Sequence, residues 1–152
     1  MKQIFYSTLA ALALLLSSAT PKAHAENSPA QKIAGTWTFF VTIPGGPPCQ
    51  CIQIGRLNAD GTFDGPANDR LSGNALGIWK QTGAQEVAFA IVQNNINPDG
   101  SAAGEYSIHA KVTLNASADH GTGSGTLQLL DKGGKVSSTN TFTLTAEKLK
   151  LE

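Results

Sequence analysis

The sequence is short of most residues and patterns that announce a mechanism. It has two cysteines, three histidines and one methionine, and only 14% of its residues are charged. Lys and Arg number 11, as do Asp and Glu, so the formal net charge is zero. A chain without a basic patch lacks the electrostatic footprint of a nucleic-acid binder. It also has no basic run to hold an anionic membrane surface. One long apolar run exists, Ile4–Leu16. At roughly 13 residues it falls short of the ~20 needed to span a bilayer, so membrane insertion is not expected.

Motifs that carry chemistry are equally scarce. Gly121-Thr122-Gly123-Ser124-Gly125 has Thr122 where a nucleophile elbow needs its first Gly. No Gly-rich phosphate loop leads into a helix. Asp60-Gly61 and Asp99-Gly100 do not continue into a calcium loop and read as turns. A zinc site from Cys49, Cys51, His109 and His120 lacks any recognised spacing. No metal, no cofactor and no catalytic set is therefore predicted. Asn115-Ala116-Ser117 is a glycosylation sequon, meaningful in a eukaryotic secretory path.

What is present begins with an address. Met1-Lys2-Gln3 gives a positive start, Ile4–Leu16 an apolar middle, and Ser17–Ala25 a small-residue end closing on Ala23-His24-Ala25. These three parts predict a cleaved signal peptide over 1–25 and export to the periplasm or the extracellular space. Residues 26–32 then form a polar, mobile leader, and 33–152 a single domain. Loss of Lys2 and Lys22 leaves nine basic residues against eleven acidic ones. In an oxidising compartment Cys49 and Cys51 could form a disulfide. Residues i and i+2 of a regular strand lie about 6.6 Å apart, near the limit for a bridge. Two reduced, small apolar side chains are the competing reading.

After residue 32 the period is two. Strands are predicted at 36–43, 50–57, 62–64, 75–80, 86–96, 105–114, through Leu130, and 136–149. Short turns join them, so sequence neighbours pair antiparallel. The predicted fold is all-β: an eight-stranded, antiparallel up-and-down barrel, whose closure removes open edges. Loops at 44–48, 65–74, 97–100 and 131–134 gather at one end, the mouth. Trp37 sits at the other end, where Lys148 or Lys150 can lie over its indole as a barrel floor.

Gly35-Thr36-Trp37 on the first strand resembles the G-x-W signature of lipocalins and related calycin barrels, in which an Arg of the last strand packs on the Trp. Here Lys148 or Lys150 stands in that place. Avidins share the strand count and often Gly-Thr-Trp. Their biotin pocket needs several tryptophans, and only Trp79 remains. A broader set, Ile33–Trp37, Gly45–Pro48, Ala59–Phe63, Gly77–Trp79 and Val87–Phe89, resembles a group of uncharacterised bacterial exported proteins similar in fold to the allene oxide cyclase-like barrel. That resemblance implies fold, and brings no catalytic residues with it.

A barrel of eight strands can be filled by side chains or can hold one small ligand. Val87, Phe89 and Ile91 share a face with Gln93 and Asn95, which predicts an apolar floor under a polar mouth. The expected function is non-enzymatic binding of a small apolar or amphipathic molecule inside the barrel. Phe39, Val41, Phe89, Ile91 and Phe142 would supply apolar contact, and Gln93, Asn95, Tyr106 and Arg70 would orient the ligand. The alternative is a cyclase or isomerase that shapes its substrate in the same cavity, with Tyr106 or Gln93 polarising a carbonyl. A third reading is an interaction module with a solid core and an outer apolar patch near Phe40 and Val92.

Overall fold

A computed structural model describes residues 29–45, 51–67 and 71–150. The expected signal peptide, the first part of the leader, Arg70 and Cys49 lie outside the described residues, as does the side chain of Cys51. Both readings of the cysteine pair, disulfide or two reduced side chains, therefore fall outside them too.

Eight strands form one closed barrel in simple sequence order. They are β1 (Gly35–Thr42), β2 (Cys51–Leu57), β3 (Thr62–Gly65), β4 (Ser72–Gln81), β5 (Glu86–Ile96), β6 (Ala102–Leu114), β7 (His120–Leu130) and β8 (Val136–Lys148). Every pair is antiparallel, and β1 closes on β8 from Trp37↔Lys148 to Thr42↔Thr143. The up-and-down barrel read from the turns is the fold of the chain. Period two explains it: on β8, Phe142, Leu144 and Ala146 are buried while Thr141, Thr143 and Thr145 face solvent.

Three boundaries differ from the sequence reading. A short helix, α1 (Pro29–Ile33), occupies much of the expected leader, and its Ile33 is buried. Strand β4 begins at Ser72 rather than Ala75, because Ser72 pairs with Asn95 across a register shift. Strand β6 starts at Ala102, past another shift at Asn95/Ile96. Pairing partners there override the loop-forming character of Ser72-Gly73-Asn74.

The closed end is held by two indoles. Trp37 is 1% exposed, and its Nε1–H donates to the Ile33 carbonyl at 2.9 Å. Trp79 Nε1–H donates to the Asn58 carbonyl at 2.9 Å, tying β4 to the β2–β3 turn. Lys148, not Lys150, lies over Trp37: its Nζ is 6.0 Å from the ring centroid and donates to the Lys32 carbonyl at 2.7 Å. Burial pulls the Lys148 ammonium below its ordinary pKa, partly offset by the negative charge of Asp119. Gly35 admits this stem for two reasons. Its φ is +141°, and a Cβ there would sit 2.7 Å from Lys148 Cε.

Lys150 instead forms an ion pair with Asp119. The Asp119 carboxylate also accepts hydrogen bonds from Asn115 Nδ2 at 2.7 Å and Ser117 Oγ at 2.8 Å. These donors, Lys150 foremost, hold its carboxyl well below the usual carboxylate range. At mid-height the rings of Phe39, Phe63 and Phe89 pack against one another, with centroids 5.8–6.5 Å apart. The Phe63 ring lies over Gly55, where any Cβ would overlap it.

Gly55→Ala is therefore expected to destabilise the barrel by about 1–3 kcal/mol, the usual cost of overpacking, as measured by urea unfolding. An unchanged unfolding midpoint would show that the ring has room to move. A second expectation concerns acid. A carboxyl whose folded pKa is depressed stabilises the fold above its unfolded value of about 3.9, and that stability is lost as pH falls toward the folded value. The stability lost below about pH 5 should thus be smaller in Asp119→Asn than in the unaltered protein, in thermal melts across pH.

Candidate functional site

Above the three phenylalanines the barrel is hollow. The cavity measures about 380 Å³ and opens at the mouth. Its position follows from the strands. β5 sends Phe89, Ile91, Gln93 and Asn95 inward in succession, from the septum of rings toward the rim. The antiparallel partner β6 sets Ala110, Ile108 and Tyr106 opposite Phe89, Ile91 and Gln93. On the far wall β7 contributes Leu127, and β8 contributes Phe142 and Leu144. Gly125 faces Phe142, and a Cβ at that glycine would crowd the ring, so the small residue accommodates the aromatic beside it.

Eight residues proposed from the sequence converge here: Phe39, Val41, Phe89, Ile91, Gln93, Asn95, Tyr106 and Phe142 all line the cavity. Arg70 lies outside the described residues. Trp37 and Lys148 form the floor on the far side of the septum. The sequence reading did not single out Gln53, Phe63, Leu71, Ser72 or Leu127, which also line the space. Gln53 shares strand parity with the buried Leu57, a signal that could have found it. Leu71 and Ser72 stood in an expected loop and had no parity to read.

Polarity is graded along the barrel. Twelve of the seventeen lining residues are apolar, and the polar ones are Gln53, Ser72, Gln93, Asn95 and Tyr106. Four of them sit toward the mouth by register with one another, Ser72↔Asn95 and Gln93↔Tyr106, while Gln53 lies opposite Phe39. Gln93 is only 5% exposed, yet its Nε2 donates to the Gly73 carbonyl at 2.8 Å. Gln53 Nε2 donates to the carbonyls of Ile54 at 3.0 Å and Pro66 at 3.3 Å. Tyr106 Oη donates to Asn95 Oδ1 across 3.3 Å, a long contact for a hydroxyl donor. None of the lining residues among those described carries a formal charge.

The two described histidines, His109 and His120, stand apart from the cavity. His109 is on the outer face of β6, 3.5 Å from Ser107 Oγ, as its strand position predicts. His120 is exposed at the closed end of β7. Among the described residues, no three His, Cys, Asp or Glu side chains gather as metal ligands would. Outside the barrel, Leu76 and Val92 are register partners on β4 and β5, and both are exposed together with Ile78. Phe40, on β1, is more modestly exposed. An outer apolar patch thus exists near Val92, but it coexists with a hollow interior rather than a solid one.

The closed, eight-stranded antiparallel barrel is the architecture that lipocalin-like barrels share. Comparison of the chain with protein families, with curated proteins and with solved structures gives no match.

Proposed function

We propose that this chain is an exported, non-enzymatic carrier that holds one small apolar or amphipathic molecule inside its barrel. The observation that carries this reading is the hollow upper half. A space of this size that opens to solvent is filled by water or by a ligand. Water against this lining would forgo hydrogen bonds over most of its surface, since twelve of the seventeen lining residues are apolar. An apolar ligand loses nothing there and releases that water.

The rest of the design supports the same reading. The septum below and the two tryptophan clamps make the closed end rigid, so the lower barrel serves as scaffold. Pockets that are mostly apolar with a few placed polar groups are the usual form of small-molecule sites. The Lys2 start, the Ile4–Leu16 run and the Ala23-His24-Ala25 end support export.

Two experiments test the proposal. Titration with a fluorescent apolar probe should saturate at one probe per chain. Ile108→Trp, which places an indole in the cavity, should weaken that binding by more than about tenfold while the circular dichroism spectrum persists. Non-saturating fluorescence, or equal binding by the Trp variant, would sink the carrier reading. Intact mass of the protein recovered from the exported fraction should correspond to a chain beginning at Glu26. A mass that retains residues 1–25 would remove the signal-peptide reading.

A further inference from the structure

We infer that the outer face of β4, β5 and β6 is the contact surface of a symmetric dimer, in which a second copy of this chain packs antiparallel against it. Leu76, Ile78 and Val92 stand 62%, 64% and 45% exposed on two paired strands. Strands that are apolar on both faces are normally covered on both. The barrel interior covers one face of β4 and β5, and the other carries these three side chains. Elsewhere the wall meets solvent in the ordinary way, with Thr139, Thr141, Thr143 and Thr145 on the outside of β8. Apolar side chains exposed singly are common, whereas a contiguous group marks a contact surface.

The pattern around that group names the occupant. Register sets the outer side chains in four rows, about 6.8 Å apart along the strands. The first, nearest the closed end, is Lys80–Ala88–Lys111, and the second is Ile78–Ala90–His109. The third is Leu76–Val92–Ser107, and the fourth, nearest the mouth, is Asn94–Glu105. A two-fold axis in the contact plane, running across the strands between the second and third rows, exchanges those two rows and also the first with the fourth. Leu76 then faces Ile78 of the second copy, and Val92 faces its Ala90. Lys111 faces Glu105 of the second copy, and Glu105 faces its Lys111. Both side chains are exposed, and among the described residues neither has an ion-pair partner. An axis along the strands would instead set Lys80 against Lys111, and like charges across an interface are costly. The face is thus complementary to itself in one orientation, as a symmetric dimer requires. The two barrels lie side by side and point in opposite directions, so both mouths stay open. Their walls are convex, which limits the contact to about three strands and to less than the ~800 Å² per partner of a standard interface. The association is accordingly reversible, with a Kd on the order of micromolar.

Sedimentation equilibrium of the purified protein at about 1–100 μM should show monomer and dimer in exchange. Ile78→Asp, which sets a charge among the apolar rows, should weaken the dimer by more than about tenfold. Lys111→Glu sets two like-charged pairs across the axis and should weaken it by about tenfold. Adding Glu105→Lys to that variant re-forms both pairs with their signs exchanged, and should bring the affinity back to within about threefold of the unaltered protein. Ile78, Lys111 and Glu105 are all exposed, so the circular dichroism spectrum should persist in each variant. Monomer at every concentration overturns the dimer and leaves this face to a different partner. A dimer that Ile78→Asp does not weaken uses another face, and overturns the assignment equally. Failure of Glu105→Lys to restore the Lys111→Glu variant overturns the antiparallel arrangement. None of these outcomes bears on probe binding inside the barrel, so the carrier reading stands or falls separately.

Discussion

Three phenyl rings meeting across the barrel at mid-height decide what each half of it can be. Phe39 comes from β1, Phe63 from β3 and Phe89 from β5, so the contact joins strands that are not neighbours in the sheet. Phe89 meets each of the other two rings edge to face, and such packing contributes about 0.5–1.5 kcal/mol per pair beyond the area buried. Below the rings, Trp37, Leu57, Val87, Val112 and Leu114 fill the interior. Above them the wall is lined but the centre is not filled. Gly55 is the silent partner in this arrangement, because its missing Cβ lets Phe63 lie flat enough to reach the other two rings.

The two ends of the barrel differ in regularity as well as in packing. Register shifts fall at Ser72/Ala75, Asn95/Ile96 and Leu129/Leu130, all toward the mouth. The pairing of β1 with β8 runs without a shift down to Trp37↔Lys148, at the floor. Bulges at a barrel rim re-aim side chains and relax the ladder locally. Here they bring Ser72 and Asn95 onto the rim of the cavity, where the polar residues collect. The fold thus couples a tightly clamped base to an irregular rim, and segments of low local stability are where binding surfaces are usually built.

How far this could be read from the sequence depends on which interaction sets each feature. The run from Val87 to Asn95 could be read almost completely. A long strand with period two announces its inward face, and the order of its side chains announces an apolar-to-polar gradient. The turn residues similarly announced the topology, since short connections allow only antiparallel neighbours. The floor was legible through Gly35-Thr36-Trp37, whose glycine answers to a lysine more than a hundred residues away. The septum was not legible. Phe63 sits on a strand of four residues, too short for its parity to speak, and its clearance over Gly55 exists only once β2 and β3 pair. The early start of β4 was hidden for the same reason: Ser72-Gly73-Asn74 has the composition of a loop, and only Asn95 across the ladder makes it strand.

Both faces of the β4–β5 pair are apolar. Inward stand Ala75, Trp79, Phe89 and Ile91; outward stand Leu76, Ile78 and Val92, exposed in a chain whose β8 exterior is Ser137, Thr139, Thr141, Thr143, Thr145 and Glu147. A near-continuous apolar run is the sequence signature of a strand covered on both sides, whereas clean alternation marks a strand with one wet face. β6 and β8 alternate; β4 and β5 do not. Yet Leu76, Ile78 and Val92 contribute nothing to the cavity, since successive side chains on a strand point to opposite faces. The hollow and the outer patch are therefore independent features of one strand pair. The carrier function belongs to the inner face alone: its order of rings, aliphatic walls and polar side chains toward the mouth is independent of anything the outer face does.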